Sequence, residues 1–78
     1  MPFRVLNQKK DFFGLVYDFK ITNSFNHDFK FAIHGTTIDN VICLADYHTI
    51  KEAEVALANI YVFFQNHPDP GCTIYPFD

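Results

Sequence analysis

The sequence predicts an α+β fold: a small antiparallel β-sheet of three to four strands in a meander, with one long C-terminal helix packed across one face. Large apolar residues occupy every second position from Phe13 to Ile21, which is the period of a strand with one buried face. Residues 50–66 repeat their apolar residues with the period of a helix, and a capping motif precedes them. Strands followed by one helix indicate an α+β domain.

The composition is that of one small domain, residues 1–78. Its residues are 49% hydrophobic and 18% aromatic, with ten Phe, so that even a short chain has the apolar area for a core. The formal net charge is −3, which argues against direct nucleic-acid binding because that function requires a basic surface.

The compartment follows from what the sequence lacks. No apolar run approaches the roughly 20 residues of a membrane span, and the N-terminus does not resemble a signal peptide. Two cysteines are too few for a disulfide framework. We therefore expect a cytoplasmic protein with reduced thiols and no membrane partner.

Four segments have strand character. Residues 3–7 form a short first strand, and residues 12–22 a long second one. Residues 28–34 alternate apolar and polar residues, which predicts an antiparallel hairpin with the second strand. The continuous apolar run 41–45 predicts a strand that is covered on both faces or lies centrally. The face of the second strand that we expect in the core consists of Phe13, Leu15, Tyr17, Phe19 and Ile21.

The helix has clear sequence limits. Thr49 and Glu52 form a capping box, Thr-x-x-Glu, which predicts that the helix begins at Ile50. Pro68 predicts an end near Asn66, because the residue before a proline avoids the helical region. The stripe that we expect to face the sheet consists of Ile50, Ala53, Leu57, Ile60, Tyr61 and Phe64.

The C-terminal tail, residues 69–78, holds apolar side chains between prolines. Such a segment is expected to lie extended on the body of the domain as an edge strand, with its prolines limiting further strand pairing.

Catalytic, metal and cofactor motifs are not recognisable. The four histidines and two cysteines do not have metal-ligand spacing, and no Gly-rich phosphate loop is present, so we expect no metal and no cofactor. Cys43 lies in an apolar strand, where a raised pKa is expected. Cys72 follows Pro-Gly in a turn and is more accessible, so that a small thiol hydrolase using Cys72 and a histidine is the enzymatic alternative. The main expectation is a protein that is not an enzyme.

The helix carries a second apolar stripe, Val55, Ala58 and Val62, roughly opposite the first. A helix on one sheet needs only one apolar stripe, so the tail, a homodimer partner or a target protein must cover the second. We predict that it binds a protein. The expected apolar anchors are Val55, Ala58, Val62, Tyr75 and Phe77, with a polar rim of Lys51, Glu52, Glu54 and Asn59.

In size, acidity and absence of catalytic motifs, the chain resembles small phage-encoded inhibitors such as anti-CRISPR proteins. This resemblance implies a small inhibitor that blocks a larger nucleic-acid-processing complex. The alternative from another class is a homo-oligomeric structural or regulatory module, in which the same helix stripe meets its symmetry mate.

Overall fold

The computed structural model describes residues 3–67 and 74–77 and confirms the α+β class. The described strands form two sheets of three, in the orders β2-β1-β6 (the first sheet) and β3-β4-β5 (the second sheet). All pairs are antiparallel except β1 with β6, which are parallel. In chain order the elements are β1 (Phe3–Leu6), β2 (Phe13–Val16), β3 (Phe19–Asn23), β4 (Phe31–Thr36), β5 (Val41–Tyr47), α1 (Ile50–Asn66) and β6 (Ile74–Pro76).

The segment 12–22, predicted as one strand, is divided at Tyr17 and Asp18. The Tyr17 N–H donates to the Thr36 carbonyl at 2.7 Å, and the Thr36 N–H donates to the Asp18 carbonyl at 3.4 Å. Tyr17 and Asp18 thus lie opposite the single residue Thr36, as in a β-bulge. Beyond this point the side chains of the segment alternate in the opposite phase, so that the other set points into the core. Val16 points inward before the break and Phe19 after it, with exposed fractions of 0% and 9%.

The predicted inward face is therefore wrong for the first half of this segment. Phe13, Leu15 and Tyr17 are 58%, 39% and 47% exposed. Phe19 and Ile21 do pack against the core, as predicted. The apolar period in the sequence continues across the break, but the backbone shifts by one residue there.

A second irregularity lies between β4 and β5, where the register shifts between Ile33 and His34. Leu44 is the extra residue on β5, so that Leu44 and Ala45 are both buried although they are adjacent. This shift accounts for the continuous apolar run in β5. The central strand of the second sheet is β4, and β5 is an edge strand. On the side of β5 that faces away from β4, the Leu44 carbonyl accepts a hydrogen bond from the Gln8 N–H at 2.8 Å.

The helix begins where the capping box predicts. The Thr49 hydroxyl accepts from the Glu52 N–H at 3.1 Å, and the Glu52 carboxylate accepts from the Thr49 N–H at 3.0 Å. These two bonds satisfy N–H groups that have no partner within a helix. The helix then packs across β3, β4 and β5.

The buried stripe of the helix is narrower than predicted. Ala53 and Ile60 are fully buried, and Leu57 and Phe64 pack against the core. Ile50 and Tyr61 were also expected to face the sheet, but they are 44% and 57% exposed because the helix presents the Ala53–Ile60 line to the sheet.

The described part of the tail is an edge strand, as predicted. β6 pairs with β1 in parallel, with Tyr75 opposite Val5, and Phe77 joins the core with an exposed fraction of 1%. Residues 68–73 lie outside the described residues, and the Cys72 expectation falls among them. The buried residues that form one cluster with Phe77 are Val5, Val16, Phe19, Ile33, Leu44, Ala45 and Ile60.

Gly35 on β4 lets three strands meet closely. A Cβ added there would lie 2.9 Å from Val16 Cγ1 on β2 and 2.9 Å from Leu44 Cδ1 on β5. Val16 is β-branched and fully buried, so it has few other rotamers to adopt. The contact therefore needs a residue without a side chain.

We predict that Gly35→Ala lowers the free energy of unfolding by about 1–3 kcal/mol, because it overpacks the core. The matched control is Gly14→Ala, whose Cβ would lie 2.9 Å from Cζ of Phe12. That atom is the tip of a half-buried ring, which can move aside, so the loss is smaller. Urea unfolding followed by circular dichroism measures both; equal midpoints for the two variants would contradict this account of the core.

Candidate protein-binding surfaces

The first sheet exposes an apolar face to the outside. Val5, Val16 and Tyr75 point inward from its three strands, so their neighbours along each strand point outward, since successive side chains alternate. We call this surface the outer sheet face. It consists of Arg4 and Leu6 on β1, Phe13 and Leu15 on β2, and Ile74 and Pro76 on β6.

The register arranges these side chains in two rows across the sheet. In the first row Leu6 lies between Phe13 and Pro76. In the second row Arg4 lies between Leu15 and Ile74. Phe13, Leu15 and Ile74 are 58%, 39% and 41% exposed. The solvent face of a sheet normally carries polar side chains, so this largely apolar face is a candidate contact surface.

Sequence reasoning missed this surface because it placed Phe13 and Leu15 in the core. One signal was available: Phe12 and Val16, on the opposite face of the same segment, are also apolar. Two apolar faces at the start of the segment and a polar one at its end, around Asp18 and Lys20, indicate that the buried face changes along the strand.

An open cavity of about 490 Å³ adjoins the outer sheet face where the two sheets part. Leu15 and Tyr17 form one side, and Ile38, on the β4–β5 turn, is 86% exposed at the other. The cavity extends the exposed apolar area beyond β2. Its remaining lining residues are Phe12, Gly14, Thr37, Asp39, Asn40 and Ile42.

The predicted anchors on the helix form a second, separate surface, which we call the helix stripe: Val55, Ala58 and Val62. All three are exposed, Val55 by 51% and Val62 by 54%. The predicted rim residues Lys51, Glu52, Glu54 and Asn59 are exposed as well. Glu52 is committed to the helix cap, where its carboxylate accepts from the backbone of His48 and Thr49.

The two predicted tail anchors do not join the helix stripe. Phe77 is a core residue with an exposed fraction of 1%, so the expectation that it is a surface anchor is corrected: its ring is needed inside the domain. Tyr75 is half-buried, and its ring contacts those of Phe63, Phe64 and Phe77 at centroid distances of 5.0, 6.2 and 5.0 Å. Tyr75 therefore packs β6 against the C-terminal end of the helix.

A polar cluster on the outer side of the second sheet is the main candidate for chemistry. Asp46 is buried and accepts a hydrogen bond from the Ser24 hydroxyl. The Cys43 thiol lies 3.7 Å from the same carboxylate. His34 is buried opposite Cys43, with Nε2 unpartnered and Nδ1 3.4 Å from the Thr22 hydroxyl.

The electrostatics of this cluster keep the thiol protonated. Partial burial raises the pKa of Cys43 above its ordinary value, and the negative Asp46 carboxylate raises that pKa further. This agrees with the expectation from the apolar strand. Because the thiolate is the reactive form of cysteine, the arrangement makes Cys43 a poor nucleophile at neutral pH.

Two further properties of the described residues bear on the candidate sites. Across residues 3–67 and 74–77, no three His, Cys, Asp or Glu side chains lie close enough together to hold a metal ion. The same residues contain no helix with the length and hydropathy that crossing a bilayer requires.

The comparisons with known proteins add no relative. No protein-family model matches the chain, and no curated protein or solved structure is detectably similar to it. Function must therefore be inferred from the surfaces themselves.

We predict that Cys43 reacts more slowly than a free thiol. In a Cys72→Ser background, alkylation of Cys43 by iodoacetamide at pH 8 should be slower than that of N-acetylcysteine, because less thiolate is present. Asp46→Asn removes the nearby negative charge and should increase the rate. If Cys43 in the Cys72→Ser protein reacted as fast as N-acetylcysteine or faster, the result would contradict the proposed environment.

Proposed function

We propose that this chain is a non-enzymatic protein-binding module that acts through its outer sheet face. The observation that carries the proposal is the pair of in-register rows on that face, in which the exposed apolar side chains of Phe13, Leu15 and Ile74 stand out. Large exposed side chains that lie together on a rigid sheet are the usual centre of a protein interface, where aromatic and aliphatic anchors supply most of the binding energy.

Charge favours a protein over the other large partners. The chain carries a net charge of −3, whereas nucleic acids and anionic membrane surfaces attract basic proteins. The outer sheet face itself contains one cation, Arg4, among five apolar positions. One cation is too few to follow a phosphate backbone, but it is typical of a protein interface, in which arginine is enriched.

In its most concrete form, the proposed module is a small inhibitor that covers a site on a larger nucleic-acid-processing complex, as anti-CRISPR proteins do. The support for this form is the small, acidic, single-domain character of the chain. We place this activity in the cytoplasm, the compartment expected for a protein with so few cysteines.

The helix stripe supports a second candidate function, self-association into a homodimer. Lys51, Val55, Ala58, Val62 and Gln65 follow one another at alternating steps of four and three residues, the spacing of a helix–helix seam. The residue types along this seam run polar, Val, Ala, Val, polar, so the seam reads nearly the same from either end and can pair with an antiparallel copy of itself. In an antiparallel pair, Val55 would meet Val62 of the second copy, and the small Ala58 side chains would allow close approach at the centre.

One set of variants distinguishes the two candidates. Leu15→Asp changes the outer sheet face, Val62→Asp changes the helix stripe, and Val41→Asp is the matched control at a 53% exposed valine outside both surfaces. Sedimentation measures self-association, and affinity capture from the native host lysate, quantified by mass spectrometry, measures partner binding.

We expect Leu15→Asp to weaken partner binding about 10- to 100-fold, since losing an interface anchor costs roughly 2 kcal/mol. Val41→Asp should leave it unchanged. A dimer that only Val62→Asp dissociates would establish the second candidate. Partner capture that Leu15→Asp does not weaken would refute the proposed role of the outer sheet face.

A further inference from the structure

The outer sheet face has a charge at its centre. Arg4 lies in the middle strand of the first sheet, with Leu15 on one side and Ile74 on the other. Leu6, two residues along β1, is also apolar and points the same way. The backbone of Arg4 pairs within the sheet, but among the described residues its guanidinium has neither a hydrogen bond nor an ion pair, and its side chain is half-buried by its neighbours.

Any partner that covers this face must also cover Arg4. A guanidinium that loses its water without gaining an acceptor destabilises the complex. A partner that places a carboxylate there removes this penalty, since arginine and carboxylate match in a planar, two-pronged geometry. A face with an unpaired Arg4 therefore favours an acidic partner over a purely apolar one.

The same cation argues against a second copy of the chain as the occupant. A symmetric contact is self-complementary: residue i of one copy meets residue j of the other and j meets i, and a residue on the twofold axis meets its own counterpart. If this face met itself about its centre, the two Arg4 side chains would approach each other with like charges.

We infer that the partner is a protein segment that presents an Asp or Glu carboxylate to Arg4 from among large apolar side chains. The inference rests on the proposed function and specifies the chemistry of its partner. The carboxylate pairs with the guanidinium, and the flanking apolar side chains cover Phe13, Leu15 and Ile74. The apolar contacts provide affinity, and the ion pair selects the partner and fixes its register.

Selection from a random 12-residue peptide display library tests this chemistry without knowledge of the natural partner. The immobilised proteins are the full chain, its Arg4→Glu variant and the matched control Lys20→Glu, which reverses an exposed charge on the second sheet. We expect the parent chain and Lys20→Glu to enrich peptides with one Asp or Glu between large apolar residues. Arg4→Glu should enrich Lys or Arg at that position instead.

The affinity of an enriched peptide is then measured by fluorescence polarisation against the parent chain, alongside the same peptide with its acid changed to the amide. We expect the amide to weaken binding at least tenfold. This comparison uses only the parent protein, so it is valid even if Arg4→Glu does not fold. Circular dichroism checks the fold of each variant.

The outcomes separate this inference from the proposed function. Peptides that lose affinity with Leu15→Asp but show no preference for acids would refute the role of Arg4 and leave the outer sheet face as a binding surface. Peptides that bind Leu15→Asp as well as the parent chain would refute both. An acidic preference that persists in Arg4→Glu would also refute the inference.

Discussion

The change of face at Tyr17 and Asp18 is the constraint on which the rest of the structure depends. Two residues there oppose Thr36 alone, so the strand enters the first sheet with one set of side chains inward and leaves through the second sheet with the other set. The bulge lets one segment contribute to both sheets. It also sends Val16 into the core and leaves Phe13 and Leu15 outside.

The outward side chains are thus a consequence of how the core is closed. Val16 fits against Gly35, and no side chain on β4 occupies that space. With the rings of Phe19 and Phe77 also inside, the small core is filled before the apolar residues of the chain are used up. Much of the remainder lies on the outer sheet face, on the helix stripe and around the cavity near Ile38. A folded protein tolerates some exposed apolar surface in water. Larger exposed apolar patches are typical of sites that a partner covers.

Local sequence motifs predict the helix and the strands, whereas the pairing between distant strands determines which side chains lie on the surface. The capping box at Thr49 placed the helix start correctly because a cap involves only neighbouring residues. The alternation from Phe13 to Ile21 predicted extended backbone correctly but chose the wrong inward face before the bulge, since the bulge forms only when Thr36 from β4 is opposite. Phe77 is predicted as a surface anchor because no local pattern in the sequence shows that its ring belongs to the core. The row in which Arg4 lies between Leu15 and Ile74 requires the parallel pairing of β6, which joins distant parts of the chain.

Nuclear Overhauser contacts of the Val16 methyl groups in solution test this central claim most directly. With the bulge in place, these methyl protons should show strong cross-peaks to the Gly35 α-protons and to the Leu44 methyl groups, because both residues surround Val16. The side chains of Leu15 and Tyr17 should show none to Leu44. If Leu15 gave the cross-peaks to Leu44 and Val16 did not, the strand would continue without the bulge, and the outer sheet face would not exist.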